Sequence, residues 1–360
     1  MKVLSLFSGV GGFDLGLERA GMKTVFQCEL DPHANKVLEQ HWPDVPRWGD
    51  ISTLTGAHVL QHAPVIDVVA WGSPCQDLSL AGKRAGLVGN KSALFYEGIR
   101  IIREIRETTN GQYPRISIWE NVVGALSSSD GADFGQVLYE MDEAGACFSE
   151  WRILDAQYFG IPQRRRRVFL ISVFDPATAA RCPDPLLPVS ESVSGHIEAG
   201  ATTGQNASKS FAKGVGRNRA IIGSEIVGSL AASDWKFPQQ QQVHENKIVL
   251  QPIVESKSRE TVIQYDGYNQ RIYENDVGIT VRIGRDSSDF IAQTTEPTNM
   301  AVRRLTPIEC ERLMGWPDDW TANQADTNRY KQCGNGVASP VAQWIGGQLM
   351  RVLDNGTTTD

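Results

Sequence analysis

The chain is 360 residues long, 41% hydrophobic and 21% charged, with 42 acidic against 35 basic side chains and a formal net charge of -7. That length exceeds what one small core holds and suits a large α/β domain plus a lesser one. The acidic balance argues against a protein that coats nucleic acid indiscriminately, and no apolar run approaches the roughly 20 residues of a membrane span.

The opening Met1-Lys2-Val3-Leu4-Ser5-Leu6-Phe7 runs straight into a strand pattern without the apolar stretch and cleavage site of a secretory signal, so a cytoplasmic location is expected. The 6 cysteines lie far apart with no Cys-x-x-Cys pair, which predicts free thiols and no metal site.

In chain order, apolar β-type runs at 3–7, 24–28, 65–71, 116–119, 151–154 and 168–174 alternate with helical spacing at 13–20, 93–107 and 134–144, the last stopped by Gly145. The alternation predicts a parallel sheet with helices on both faces. After Pro183 the texture turns to Ser, Thr, Gly and Asn, which places a boundary near residue 180. Between about 185 and 302 only short β-like pieces stand out, at 248–254, 261–265 and 278–283, as in a small inserted unit. Helical grammar returns at Thr306-Pro307-Ile308-Glu309, a capping box with a first-turn proline, and a last helix at 340–353 is expected to pack back on the first domain.

Phe7-Ser8-Gly9-Val10-Gly11-Gly12 follows the first strand and opens the first helix, where a ligand can approach the backbone closely. Alone, such a turn occurs in any α/β protein. Glu29-Leu30 then ends the second strand where a carboxylate meets ribose hydroxyls, and Asp50-Ile51 follows the next one, so the set points to an adenosine-containing ligand. Spacing does not choose between a dinucleotide and S-adenosylmethionine.

The 65–71 strand runs into Gly72-Ser73-Pro74-Cys75-Gln76, presenting a cysteine at a carboxyl end of the sheet, where open α/β folds bind ligands. The 116–119 strand delivers Glu120-Asn121-Val122 to the same edge, and a carboxyl beside a thiolate suits addition to a heteroaromatic ring. Gln163-Arg164-Arg165-Arg166-Arg167 precedes another strand, with guanidinium groups that gather phosphate or orient a base edge; a charge run by itself is more often a solvated face.

Taken together and in order, Pro74-Cys75-Gln76, Glu120-Asn121-Val122, Gln163-x-Arg165-x-Arg167, Arg304-x-Thr306-Pro307 with Glu309 and Arg312, and Gln332-x-Gly334-Asn335-Gly336-Val337 resemble the motif set of the DNA (cytosine-5) methyltransferases, over residues 1–182 and 303–353. The resemblance implies a Rossmann-like S-adenosylmethionine-dependent methyltransferase domain with a second, smaller target-recognition domain. Residues 1–182 would form the catalytic and cofactor-binding domain, 183–303 the target-recognition domain, and 304–360 the segment completing the catalytic domain.

It further implies that Cys75 adds to cytosine C6, that Glu120 holds N3 and the exocyclic amine, and that Arg165 braces O2 and Glu120, with Gln163 and Arg167 alongside. S-adenosylmethionine would lie against Phe7, Ser8, Gly9, Gly11, Gly12, Glu29, Leu30, Asp50, Ile51, Pro74, Asn335 and Val337. Double-stranded DNA, with its target base turned out, would be met by Gln76, Ser79, Lys83, Arg84, Arg217 and Arg219. Residues 79–89 would be the loop closing on DNA, and Lys209, Lys213, Arg271, Arg282 and Arg285 are further candidates for phosphate or guanine. The enzyme is expected to act as a monomer. Two departures stand out: Leu78 where the family usually has phenylalanine, and Gly336 where serine or alanine is common.

Three rival readings are weaker. A tRNA cytosine methyltransferase shares most of these motifs but usually has a shorter recognition segment. A binding protein with a decayed site would have lost Cys75, Glu120 or Arg165, and a nicotinamide-dependent oxidoreductase gives no reason for the motifs after Glu29.

Overall fold

The computed structural model describes residues 1–73, 93–188, 248–252, 262–266, 271–275 and 300–354. A seven-stranded sheet organises the larger part, with β1 (Lys2–Leu6), β2 (Lys23–Cys28), β3 (Arg47–Trp48), β4 (Val68–Trp71), β5 (Ile116–Val122), β6 (Phe148–Asp155) and β7 (Arg166–Val173) in the spatial order β3-β2-β1-β4-β5-β7-β6. The strands from β3 to β5 are mutually parallel, and the order reverses between β1 and β4, the place where open sheets leave a crevice for a ligand.

The wholly parallel sheet expected from the sequence is corrected at one edge: β7 runs antiparallel to both β5 and β6. The short connection from Asp155 to Arg166 cannot carry a crossover helix, so the two strands fold back as a hairpin. β5 also runs on through Val122 because its last residues pair with β7, Val122 opposite Arg167. The Glu-Asn-Val motif therefore lies inside the strand.

Successive core residues alternate between the faces, as strand geometry requires. Val3, Val68, Ala70, Ile118 and Phe169 belong to one apolar cluster, and Leu4, Val69, Trp71, Trp119 and Leu170 to the other. Helices α1 (Gly12–Arg19) and α2 (Pro32–His41) cover the first face, while α3 (Gly56–His62), α4 (Ala93–Thr108) and α5 (Ala132–Glu143) cover the second. Asp31 caps α2 by accepting from the His33 amide at 2.8 Å, and Gly145 ends α5 at φ 90°, as its position predicted.

After the short helix α6 (Pro176–Ala179), the described part of the insert is strand pairs: β8 (Ile248–Pro252) with β11 (Met300–Arg304), and β9 (Val262–Asp266) with β10 (Arg271–Asn275), both antiparallel. The strand expected at 278–283 lies outside the described residues.

The C-terminal helices are α7 (Pro307–Leu313), α8 (Asp326–Asn335) and α9 (Ser339–Asp354). Thr306 and Glu309 form the expected capping box. Polar α8 had no sequence signal, because only Gln332, Cys333 and Gly334 of it are buried. The last helix docks on α1, with Ser339 Oγ donating to the Gly12 carbonyl at 2.9 Å. Trp320 adds a second tie from its indole to the Val10 carbonyl, also 2.9 Å.

Candidate active site

The turn after β1 carries Phe7 and Gly9 at φ 54° and 57°, and the Ser8 amide ties it to the end of β2 through the Cys28 carbonyl at 3.1 Å. Glu29 holds this turn in place. One carboxylate oxygen accepts from the Gly9 amide at 2.7 Å and the other from the Asp31 amide at 2.8 Å. Burial pushes the Glu29 carboxyl above the ordinary range, while these amides pull it back. The outer side of the turn is open: a Cβ placed on Gly9 would meet no atom within 4 Å. Leu30 stands 70% exposed next to Glu29. Asp50 is exposed, accepts from the Ser52 amide and hydroxyl at 2.9 and 2.8 Å, and is held below the usual carboxylate range by those bonds.

Not every glycine faces the opening. A Cβ on Gly11 would strike the Trp42 ring at 2.4 Å and one on Gly12 the Val337 carbonyl oxygen at 2.4 Å, so these two serve packing within the fold. Ile51 likewise buries its side chain in the second core cluster, and its carbonyl accepts from Arg100 at 2.8 Å.

Across the switch point, β4 and β5 present Gly72, Ser73 and Glu120. Glu120 Oε2 lies 3.1 Å from where a Gly72 side chain would begin, so a larger residue would displace the carboxylate. Trp119 donates to Ser73 Oγ at 3.3 Å and Trp71 to Ser117 Oγ at 2.9 Å, which steadies the backbone where it leaves the sheet, two residues before Cys75. Arg167 Nε meets Glu120 Oε1 at 3.2 Å, with side chains 17% and 13% exposed. Burial raises the Glu120 carboxyl; the charges of Arg167 and then Arg165 oppose it.

The arginine in contact with Glu120 is thus Arg167, where the resemblance had given that place to Arg165. Arg165 is 3% exposed and donates to the carbonyls of Gly334 and Gly336 at 3.0 and 2.7 Å. Gln163 is fully buried, with its amide donating to the Leu313 carbonyl at 3.2 Å, a framework contact between the strand entrance and α7.

The structure therefore gathers Phe7, Ser8, Gly9, Glu29, Leu30 and Asp50 on one side of the crevice and Glu120 with Arg167 on the other, with exposed Asn335 on the segment that packs against Gly12. Pro74, Cys75, Gln76, Leu78, Ser79, Lys83, Arg84, Lys209, Lys213, Arg217, Arg219, Arg282 and Arg285 lie outside the described residues. Sequence reasoning missed Asp31, whose amide completes the hold on Glu29; the Asp-Pro pair opening α2 was its available signal. Among the described residues no cluster of metal-ligating side chains occurs, and no helix is long and apolar enough to cross a membrane.

The family model for C-5 cytosine-specific DNA methylases matches residues 1–351. The Type II methyltransferase M.HhaI of Haemophilus parahaemolyticus is 27% identical over 350 residues, covering 96% of this chain and 93% of that protein. A protein of Escherichia phage P1 named a DNA N-6-adenine-methyltransferase is 26% identical over 472 aligned residues, covering 97% of this chain; the chain spans 61% of that longer relative. Among solved structures, Dnmt2 methyltransferase of S. pombe superposes with a TM-score of 0.59 at 16% identity, over 98% of this chain and 99% of that one, a likeness of fold. With a family model matched along nearly its whole length, the chain belongs to the C-5 cytosine-specific DNA methylases and is a methyltransferase.

Proposed function

We propose that the chain methylates carbon 5 of a cytosine turned out of double-stranded DNA, acting as a monomer, with S-adenosylmethionine as donor and Cys75 as nucleophile. The observation that carries this reading is the Glu120–Arg167 pair, held at the mouth of the sheet beside Gly72 and Ser73, just ahead of Cys75 in the sequence.

The residues at these strand ends suit the donor. Glu29 and Asp50 offer acceptors for ribose hydroxyls and the adenine amine, Phe7 and Leu30 flank an apolar ring, and Asn335 serves the amino-acid end. When bound, S-adenosylmethionine supplies an electrophilic methyl group on sulfonium.

The remaining chemistry belongs to the chain. The Cys75 thiolate forms a bond to cytosine C6, and the ring's electron pair shifts so that C5 becomes nucleophilic. Glu120, whose carboxyl is raised by burial, is suited to protonating N3 as negative charge develops on the ring. Arg167 keeps that carboxyl aimed at the base. After methylation the C5 proton is lost to a base, the C6–sulfur bond breaks and aromaticity returns. Sequence recognition falls to residues 183–303, with Arg217 and Arg219 among its candidate contacts.

The test is to incubate the wild type and Cys75→Ser with radiolabelled S-adenosylmethionine and mixed-sequence duplex DNA, then identify the labelled nucleoside. Labelled 5-methylcytosine from the wild type alone is expected. Label on adenine, label in RNA only, or equal label from both proteins would overturn the reading.

A further inference from the structure

Arg165 is buried at the entrance to β7, two residues before the arginine that meets Glu120. Its backbone is fixed on both sides: its amide donates to Asp155 Oδ1 at 2.9 Å, and its carbonyl accepts from the Ala156 amide at 3.1 Å. Residues two apart on a strand share a face. Arg166, between them, points outward and is exposed, while Arg165 and Arg167 turn inward.

From this anchored position one nitrogen, Nη2, donates to both the Gly334 and Gly336 carbonyls, bracketing Asn335. On its far side the same segment presses on the glycine turn, since Val337 leaves no room for a Cβ at Gly12 and Ser339 bonds the Gly12 carbonyl. A short stretch of backbone is thus clamped between the strand that aims Glu120 and the turn that opens the donor crevice. A carbonyl pair held by a charged donor is worth more than a neutral hydrogen bond, so the clamp is a strong one.

We propose that Arg165 is a positioning residue for the methyl donor: by clamping residues 334–336 it fixes Asn335 and Val337 where they meet the donor's amino-acid end, while its neighbour Arg167 serves the target base. The division rests on the function proposed above. It predicts that the two arginines, two residues apart, affect different kinetic constants.

The experiment uses the full chain and titrates S-adenosylhomocysteine, the demethylated donor, by calorimetry, so that affinity is read without turnover. In Arg165→Lys, a shorter side chain ending in a compact ammonium replaces the planar fork. The expected result is about tenfold weaker binding and a matching rise in KM for S-adenosylmethionine, with kcat changed less than about threefold. Arg167→Lys is expected to do the reverse, lowering kcat while leaving that affinity in place. A folded Arg165→Lys protein with wild-type affinity would sink the proposal. So would failure of both Arg165→Lys and Arg165→Gln to fold, because Arg165 would then be a strut of the fold. If the wild type itself binds no S-adenosylhomocysteine, the donor assignment fails first and this proposal falls with it; where the wild type binds normally, any loss in the variant belongs to Arg165 alone.

Discussion

On the β1–β2 side of the crevice a buried carboxylate, Glu29, is held by two backbone amides, whereas on the β5–β7 side Glu120 is held by the Arg167 guanidinium. Burial raises both carboxyls, so the difference lies in what compensates it. Amides that belong to a turn and a helix start cannot move without unfolding them, and they hold Glu29 as a fixed acceptor. A guanidinium on a side chain can follow the carboxylate while a proton leaves and returns. On the function proposed above, similar desolvation makes Glu29 a rigid binding group and Glu120 a proton-handling group.

The largest effect expected from breaking this contrast is on turnover. Glu120→Gln keeps the shape but removes the exchangeable proton, so kcat should fall by about 10²- to 10⁴-fold with S-adenosylhomocysteine affinity intact. Glu29→Gln should give the opposite pattern. Its amide group must turn N–H toward one of the backbone amides it now accepts from, and loss of that charged hydrogen bond predicts about 10- to 100-fold weaker S-adenosylhomocysteine binding. Calorimetry and single-turnover kinetics on both variants check this; an equal loss of both constants in both variants would erase the distinction between the two sides.

Behind the rigid side lies a third carboxyl. Asp14 on α1 is fully buried and accepts from Ser5 Oγ on β1 and Gln27 Nε2 on β2, each at 2.9 Å, while Arg47 from β3 holds the other end of Gln27 at 3.2 Å. Burial pushes Asp14 up to about 6, against the two side-chain hydrogen bonds, and the Glu18 charge adds to the rise. Between about pH 4 and 6 the folded protein therefore keeps a proton that the unfolded chain has lost. Stability from this group is fully present below the unfolded value and is lost as pH rises through 6, by about 3 kcal/mol in all. Asp14→Asn should flatten the fall in Tm across that window relative to the wild type. Parallel Tm profiles from pH 4 to 7 would show that Asp14 does not titrate there.

Much of this was legible from residues one after another in the chain. The glycine turn after a strand, the carboxylates following the next strands, the Thr306–Glu309 capping box and the Gly145 stop are local signals; the structure shows the capping box, the helix stop and a turn tied to Glu29 at those positions. Pairings between distant segments were not legible. Gln163, Arg165 and Arg167 lie on alternate residues of one approach, and the register that sets Val122 against Arg167 decides which of them reaches Glu120. The antiparallel edge and polar α8 escaped for the same reason: both are settled by what packs against them.

The departure at Gly336 is another distant pairing, and it supplies the smallest of these tests. A Cβ there would lie 2.6 and 2.7 Å from Cζ2 and Cη2 of the buried Trp316 ring and 3.0 Å from the Gln332 carbonyl oxygen. In this chain the indole fills the space that a serine or alanine side chain would take. Gly336→Ser should therefore destabilise by about 1–3 kcal/mol through overpacking, lowering Tm by several degrees. Because Gly336 is also one of the carbonyls held by Arg165, the displaced segment should bind S-adenosylhomocysteine a few-fold more weakly. Trp316→Phe deletes both clashing ring atoms, and since the buried indole N–H has no partner among the described residues, its removal breaks no hydrogen bond. The double variant should then be less destabilised than the sum of the two single ones, the mark of residues that share a space. Strictly additive melting temperatures would mean that the segment moves aside to admit the serine, and that the donor side is less rigid than its amide-held carboxylate implies.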